Sequence, residues 1–112
     1  MTGDRCTWCG ADVEAADGFR AYEVEGGRRA VFCRLEHIVA WAISGAPWEA
    51  LPEGARARAD ELVHECAHCG APLGPAHVLL VRARGPHRVP DGFCGVDHLL
   101  RWAKAGGRWA VP

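Results

Sequence analysis

All six cysteines and two of the six histidines fall into two copies of one pattern. Cys6-x2-Cys9 is followed by Cys33-x3-His37, and Cys66-x2-Cys69 is followed by Cys94-x3-His98. Each copy offers three thiolates and one imidazole, the soft donors of a closed tetrahedral zinc set. Four protein donors leave no position for water or substrate, which a catalytic zinc needs. The pattern therefore predicts two structural Zn2+ ions per chain. One is held by Cys6, Cys9, Cys33 and His37, the other by Cys66, Cys69, Cys94 and His98. His64 and His68 flank the second cysteine pair and could compete as ligands; the repeat assigns the fourth position to His98. Thiolates in such a site can oxidise and release metal, so metal handling or thiol redox sensing stands as a minor reading.

The copies match well past the donors. Cys9-Gly10-Ala11 corresponds to Cys69-Gly70-Ala71, Phe32-Cys33 to Phe93-Cys94, Trp41-Ala42 to Trp102-Ala103, Gly45 to Gly106 and Trp48 to Trp109. A repeat of this kind sets the architecture before any other feature. It divides the chain into a first zinc module at 1–52, a linker at 53–65 and a second zinc module at 66–112. The linker contains the helix-like run from Ala55 to Val63. Within each module the Cys-x2-Cys-Gly segment reads as a tight turn, because glycine lets the backbone curl toward the sulfurs. Phe19 to Val24 and Arg29 to Phe32 read as a hairpin around Glu25-Gly26-Gly27-Arg28. In the second copy, His77 to Arg82 is the first strand and Arg84-Gly85-Pro86-His87 the turn. Pro90 keeps the returning strand short or at an edge. Helices are expected to start at Cys33 and Cys94, so that donors at i and i+4 share a face. Leu35, Ile38, Val39 and Ala42, matched by Val96, Leu99, Leu100 and Ala103, give each helix an apolar stripe. The fold class is α+β, small and zinc-stabilised.

A knuckle carrying Cys-x2-Cys, a hairpin, and a helix bearing the last donors resembles the treble-clef zinc finger, here in tandem over nearly the whole of both copies. The Phe-Cys-x3-ligand segment is similar to the subgroup that includes the TRASH and MYM-type fingers, with His37 and His98 where those end in cysteine. The resemblance implies a structural metal and a binding role.

Size and charge narrow the function. The 112 residues make two units of about 50 residues each, too small to bury much apolar surface without a metal, disulfides or a partner. Structural zinc contributes an apparent ~10–16 kcal/mol in finger peptides, more than the roughly 5–15 kcal/mol net stability of many domains. A secreted disulfide scaffold would not need a histidine four residues after the third cysteine in both copies. Met1 to Arg5 leads to the first donor with no apolar signal segment, and no run reaches the ~20 apolar residues of a membrane span. The expectation is a cytoplasmic protein with no membrane association. Formal charge is −1; each loaded site lowers it by one further unit, a balance that disfavours a generic polyanion binder. Of the 13 basic residues only Lys104 is lysine, a bias in keeping with a GC-rich bacterial genome.

Enzyme signatures are missing. Zinc deaminases need His-x-Glu with Pro-Cys-x2-Cys, and neither occurs. His64-Glu65-Cys66-Ala67-His68 has the letters of a metalloprotease motif, but Cys66 belongs to the repeat and a knuckle there would break the required helix. No Ser or Thr nucleophile constellation stands out. The expected function is therefore a non-catalytic protein-interaction adaptor or regulator with a protein partner. The alternative is a nucleic-acid-binding zinc finger, with Arg82, Arg84 and Arg88 on the second hairpin contacting phosphates. Trp41, Trp102, Trp48 and Trp109 sit at matched positions, which marks them as core. Trp8 stands between two donors where the second copy has His68, and is the candidate contact residue.

Overall fold

The computed structural model describes residues 4–24, 27–50 and 64–106. Most of the linker, Gly107 and Trp109 lie outside the described residues, as does part of the first hairpin turn. β1 (Asp4–Arg5) and β2 (Asp12–Val13) pair across the first knuckle. β3 (Phe19–Glu23) and β4 (Arg28–Phe32) form the first hairpin, with Phe19 opposite Phe32. α1 (Leu35–Ile43) follows, and β5 (Glu49–Ala50) returns to the outer edge of β4. In the second copy β6 (Val78–Arg84) and β7 (His87–Phe93) pair with Val78 opposite Phe93, and α2 (Val96–Lys104) closes the unit.

The two hairpins are joined into one five-stranded sheet, ordered β5-β4-β3-β6-β7. Its central joint is an antiparallel ladder between β3 and β6, with Ala21 opposite Leu80, Phe19 opposite Arg82 and Glu23 opposite Val78. This register is symmetric. Phe19 and Val78 are matched residues, since each faces the matched Phe32 or Phe93. The same shift carries Ala21 onto Leu80, and those two are partners of each other. A pseudo-two-fold axis therefore passes through the Ala21–Leu80 pair, and the contact between copies is of the self-complementary kind found in two-fold dimers.

The larger buried cluster among the described residues serves both copies. Ala21, Ala30, Phe32, Leu80 and Phe93 from the sheet meet Ile38 and Trp41 of α1 and Leu99, Trp102 and Ala103 of α2. Of the matched tryptophans, Trp41 is fully covered, Trp102 nearly so and Trp48 half-buried. Trp48 packs edge-on against Trp41 at 4.9 Å. Further bonds bind the copies together. Ala83 N–H donates to Gly18 O and Gly85 N–H to Ala16 O, both at 2.9 Å, and Val24 N–H donates to His77 O at 3.0 Å. Arg20, buried in the central part of the sheet, holds the loop before β3 by donating to the carbonyls of Asp17 and Glu14, and pairs with Asp4. Arg29 reaches the same carboxylate at 2.8 Å.

β7 spans seven residues and lies at the sheet edge, where Pro90 withholds an N–H without breaking an inner ladder. Asp91 shares the face of Phe93 by strand alternation and takes the place of Ala30 of the first copy. Its Oδ2 is buried without a hydrogen-bond partner among the described residues. Burial pushes its carboxyl up to about 6 from the ordinary 3.8. A raised carboxyl pKa means the folded state is penalised once the pH exceeds the unfolded value, and the penalty is complete above the folded one. Asp91→Ala should therefore stabilise the fold by about 1 kcal/mol at pH 8, after discounting for solvent screening, with about half of that gain at pH 5. Urea unfolding midpoints of both proteins at the two pH values measure this; a gain that does not shrink with falling pH contradicts it.

Candidate metal centres

Each knuckle is built by the same two backbone bonds. Cys6 N–H donates to Ala11 O at 2.8 Å and Gly10 N–H to Cys6 O at 2.9 Å; Cys66 and Gly70 do the same with Ala71 and Cys66, both at 2.8 Å. Gly10, at φ +79°, supplies the left-handed residue that closes the turn. Thr7 N–H donates to Val31 O and Ala67 N–H to Gly92 O, which lays each knuckle against the strand leading to the third cysteine.

The third cysteines differ from the sequence expectation in one respect. The helices begin at Leu35 and Val96, so Cys33 and Cys94 precede them instead of starting them. Arg34 and Gly95 between are extended, which turns each cysteine toward its knuckle while the histidine projects from the first helical turn.

The eight residues gather as two groups, Cys6, Cys9, Cys33, His37 and Cys66, Cys69, Cys94, His98, with donor atoms in each group all within 4.8 Å of one another. In the first, Cys33 Sγ lies 3.3 Å and Cys6 Sγ 3.6 Å from His37 Nδ1, and Cys9 and Cys33 Sγ are 3.6 Å apart. In the second, Cys66 Sγ is 3.4 Å from His98 Nδ1 and the Cys69 and Cys94 sulfurs are 3.6 Å apart. A zinc tetrahedron with sulfurs about 2.3 Å from the metal has S–S edges of about 3.8 Å. The donors are spaced to hold one ion each.

Their acidity points the same way. Burial pushes the Cys6 thiol up, but hydrogen bonds from the N–H groups of Cys9, Cys33 and Trp8 and from His37 outweigh it and bring the thiol down to about 6. Cys66 reaches about 6 by the matching set of contacts against the same burial. Cys33 is driven up to about 11 by burial and by its bonds to the Cys9 and Cys6 sulfurs. Bonding to Cys69, then burial and Cys66, take Cys94 to about 11. In each set the N–H groups around the buried thiol acidify it, while the sulfurs crowded against the third thiol hold its proton. Three thiolates and an imidazole in this spacing fit zinc.

His64 and His68 stay outside the donor sets. The His68 ring lies against that of His98, with centroids 5.1 Å apart. The His64-to-His68 segment enters the knuckle, with Leu73 N–H on His64 O, and forms no helix. His98→Ala should weaken zinc retention at the second centre by at least about tenfold, whereas His64→Ala and His68→Ala leave it within about twofold. Chelator-driven release ranks the three, and equal losses would show that the fourth donor is wrongly assigned.

Away from the centres, Trp8 is 44% exposed on the first knuckle. On the second hairpin, Arg82 lies over the Phe19 ring. Arg88 donates to the carbonyls of Gly85, His87 and Ala15 at 2.8–2.9 Å. Arg84 is exposed beside the turn. Among the described residues no helix is long and apolar enough to cross a membrane. Sequence reasoning passed over Arg20; an arginine inside an otherwise short apolar strand was its one signal. No family model matches the chain, and no curated protein or solved structure matches it.

Proposed function

We propose that this protein is a non-catalytic adaptor or regulator, cytoplasmic and treble-clef-like in each half, whose two zinc ions hold a shared sheet and whose surface meets a protein partner. The observation that carries this reading is the completeness of both donor sets. Each cluster has three thiols and an imidazole at tetrahedral spacing, so a bound zinc would be spent on structure.

Trp8 supports the partner reading. A large aromatic held 44% exposed on a rigid turn offers apolar area with little ordering cost on binding. The nucleic-acid reading is weaker on this geometry. Arg88 is occupied by three backbone carbonyls, and Arg82 lies against Phe19. Among the described residues Arg84 alone of the three makes no such contact, which leaves fewer arginines free for phosphate than the cluster first suggests.

The test is a titration of zinc-loaded protein onto mixed DNA and RNA between about 50 and 200 mM salt. The adaptor reading expects no salt-sensitive binding. A steep log–log slope, flattened by about one unit for each of Arg82, Arg84 and Arg88 replaced by alanine, would transfer the function to nucleic acid.

A further inference from the structure

The two centres share a donor geometry but not an exposure. Cys6 and Cys66 are equally buried, and Cys9 and Cys69 are both exposed. The third cysteines part company. Cys33 is half-buried and packs against the cluster of Cys6, Val13 and Val31. Cys94 is exposed. The residue after it is Gly95, where the first copy carries Arg34, and a Cβ on Gly95 would meet nothing within 4 Å. Cys94 and Gly95 line an open cavity of about 380 Å³ with Glu23, His77, Val78 and Val96. The Cys69 sulfur is 3.6 Å from that of Cys94.

We propose that Cys69 and Cys94 are a thiol oxidation site, in which a hydroperoxide reaching Cys94 through this cavity converts the pair to a disulfide before any cysteine of the first centre reacts. The inference rests on the reading of the second cluster as a zinc centre. A zinc ion held by this set would keep Cys94 as thiolate at neutral pH, and the thiolate is the nucleophile. Its sulfur attacks the peroxide O–O bond, forming a sulfenic acid and releasing hydroxide, or an alcohol from an organic peroxide. The Cys69 thiolate then attacks the sulfenic sulfur. An S–S bond forms and a second hydroxide leaves. The two sulfurs together lose two electrons, the two peroxide oxygens gain them, and solvent supplies the protons. Only Cys66 and His98 then remain to hold a metal, half of the original donors. Thiol reductant and added zinc reverse the step.

The experiment uses the whole 112-residue zinc-loaded chain and one equivalent of hydrogen peroxide. Zinc per chain is measured before treatment; free thiols are alkylated afterwards and the disulfide located by peptide mapping. The position of the first disulfide is the readout, because loss of metal at one centre loosens the core that both share. The expected result is a Cys69–Cys94 disulfide with Cys6, Cys9 and Cys33 still free. Gly95→Leu, which adds a side chain to the cavity wall next to Cys94 and changes no donor, should slow that oxidation by at least about fivefold while zinc content stays at two. A first disulfide at Cys9–Cys33, equal reaction at both centres, or an unchanged rate in Gly95→Leu overturns the proposal. A chain that carries no zinc before peroxide sinks the metal-centre reading instead, a different failure recorded by a different measurement.

Discussion

Cys66→Ala should leave the protein with almost no zinc, not with one ion. In a pair of independent fingers, loss of a donor in the second would spare the first. Here Cys66 belongs to the same buried cluster as Ala21, Ala30, Phe32 and Trp41 of the first copy. The ladder between β3 and β6 runs through the middle of the sheet. Structural zinc contributes an apparent ~10–16 kcal/mol, against a net stability of roughly 5–15 kcal/mol for a whole domain. Loss of one ion therefore exceeds what the joint fold can absorb. Chelator titration of the wild type should show both ions leaving in a single step, together with the far-ultraviolet circular dichroism. Two separated steps, or a stable one-zinc form of Cys66→Ala with the first half folded, would mean the shared sheet does not couple the centres.

Gly18→Ala should be the most damaging single-methyl change outside the donor sets. Gly18 adopts φ +77°, and a Cβ there would lie 2.6 Å from Phe32 O and 2.6 Å from Val13 Cγ1. The left-handed backbone alone costs a non-glycine residue about 1–2 kcal/mol. The contact with the Phe32 carbonyl is with backbone that cannot rotate away, and a total of about 3–4 kcal/mol is expected. Both atoms it strikes support the first centre. Phe32 precedes Cys33, and Val13 packs with Cys6. Gly85→Ala is the control: it also has positive φ, at +59°, but nothing lies within 4 Å of its Cβ, so only the backbone cost applies. Thermal unfolding with zinc in excess separates the two; equal shifts would show that the overlap is relieved at no cost.

The clustering of these eight residues was legible because metal chemistry is local in type and strict in spacing. A repeated Cys-x2-Cys and Cys-x3-His admits few other uses, and the two spatial groups contain the residues that the pattern selects. The hairpins were legible from β-branched and aromatic runs around glycine turns, and Pro90 marked the edge. The β3–β6 joint was not, since pairing between strands distant in sequence leaves no periodic trace. Its one clue was the unbroken apolar run from Val78 to Val81, which suits a strand covered on both faces rather than the alternation of an outer one. Helix starts were misplaced by two residues because the i to i+4 argument requires only that the donors converge. An extended Arg34 or Gly95 meets that requirement as well as a helical turn does. The two-residue strands β1, β2 and β5 are too short to carry a period. Asp91 could not be distinguished from a surface carboxylate until the register set it beside Phe93.

The axis through Ala21 and Leu80 has a consequence for ancestry. A peptide of half this length, carrying one knuckle, one hairpin and one helix, could build the same sheet by pairing its first strand with that of an identical peptide. Joining two such units end to end frees them from having to be alike. The places where the halves now differ, Trp8 against His68, Ala30 against Asp91, Arg34 against Gly95 and Ile43 against Lys104, are positions at which an identical pair could not have specialised. A duplicated gene can devote one half to holding and the other to responding.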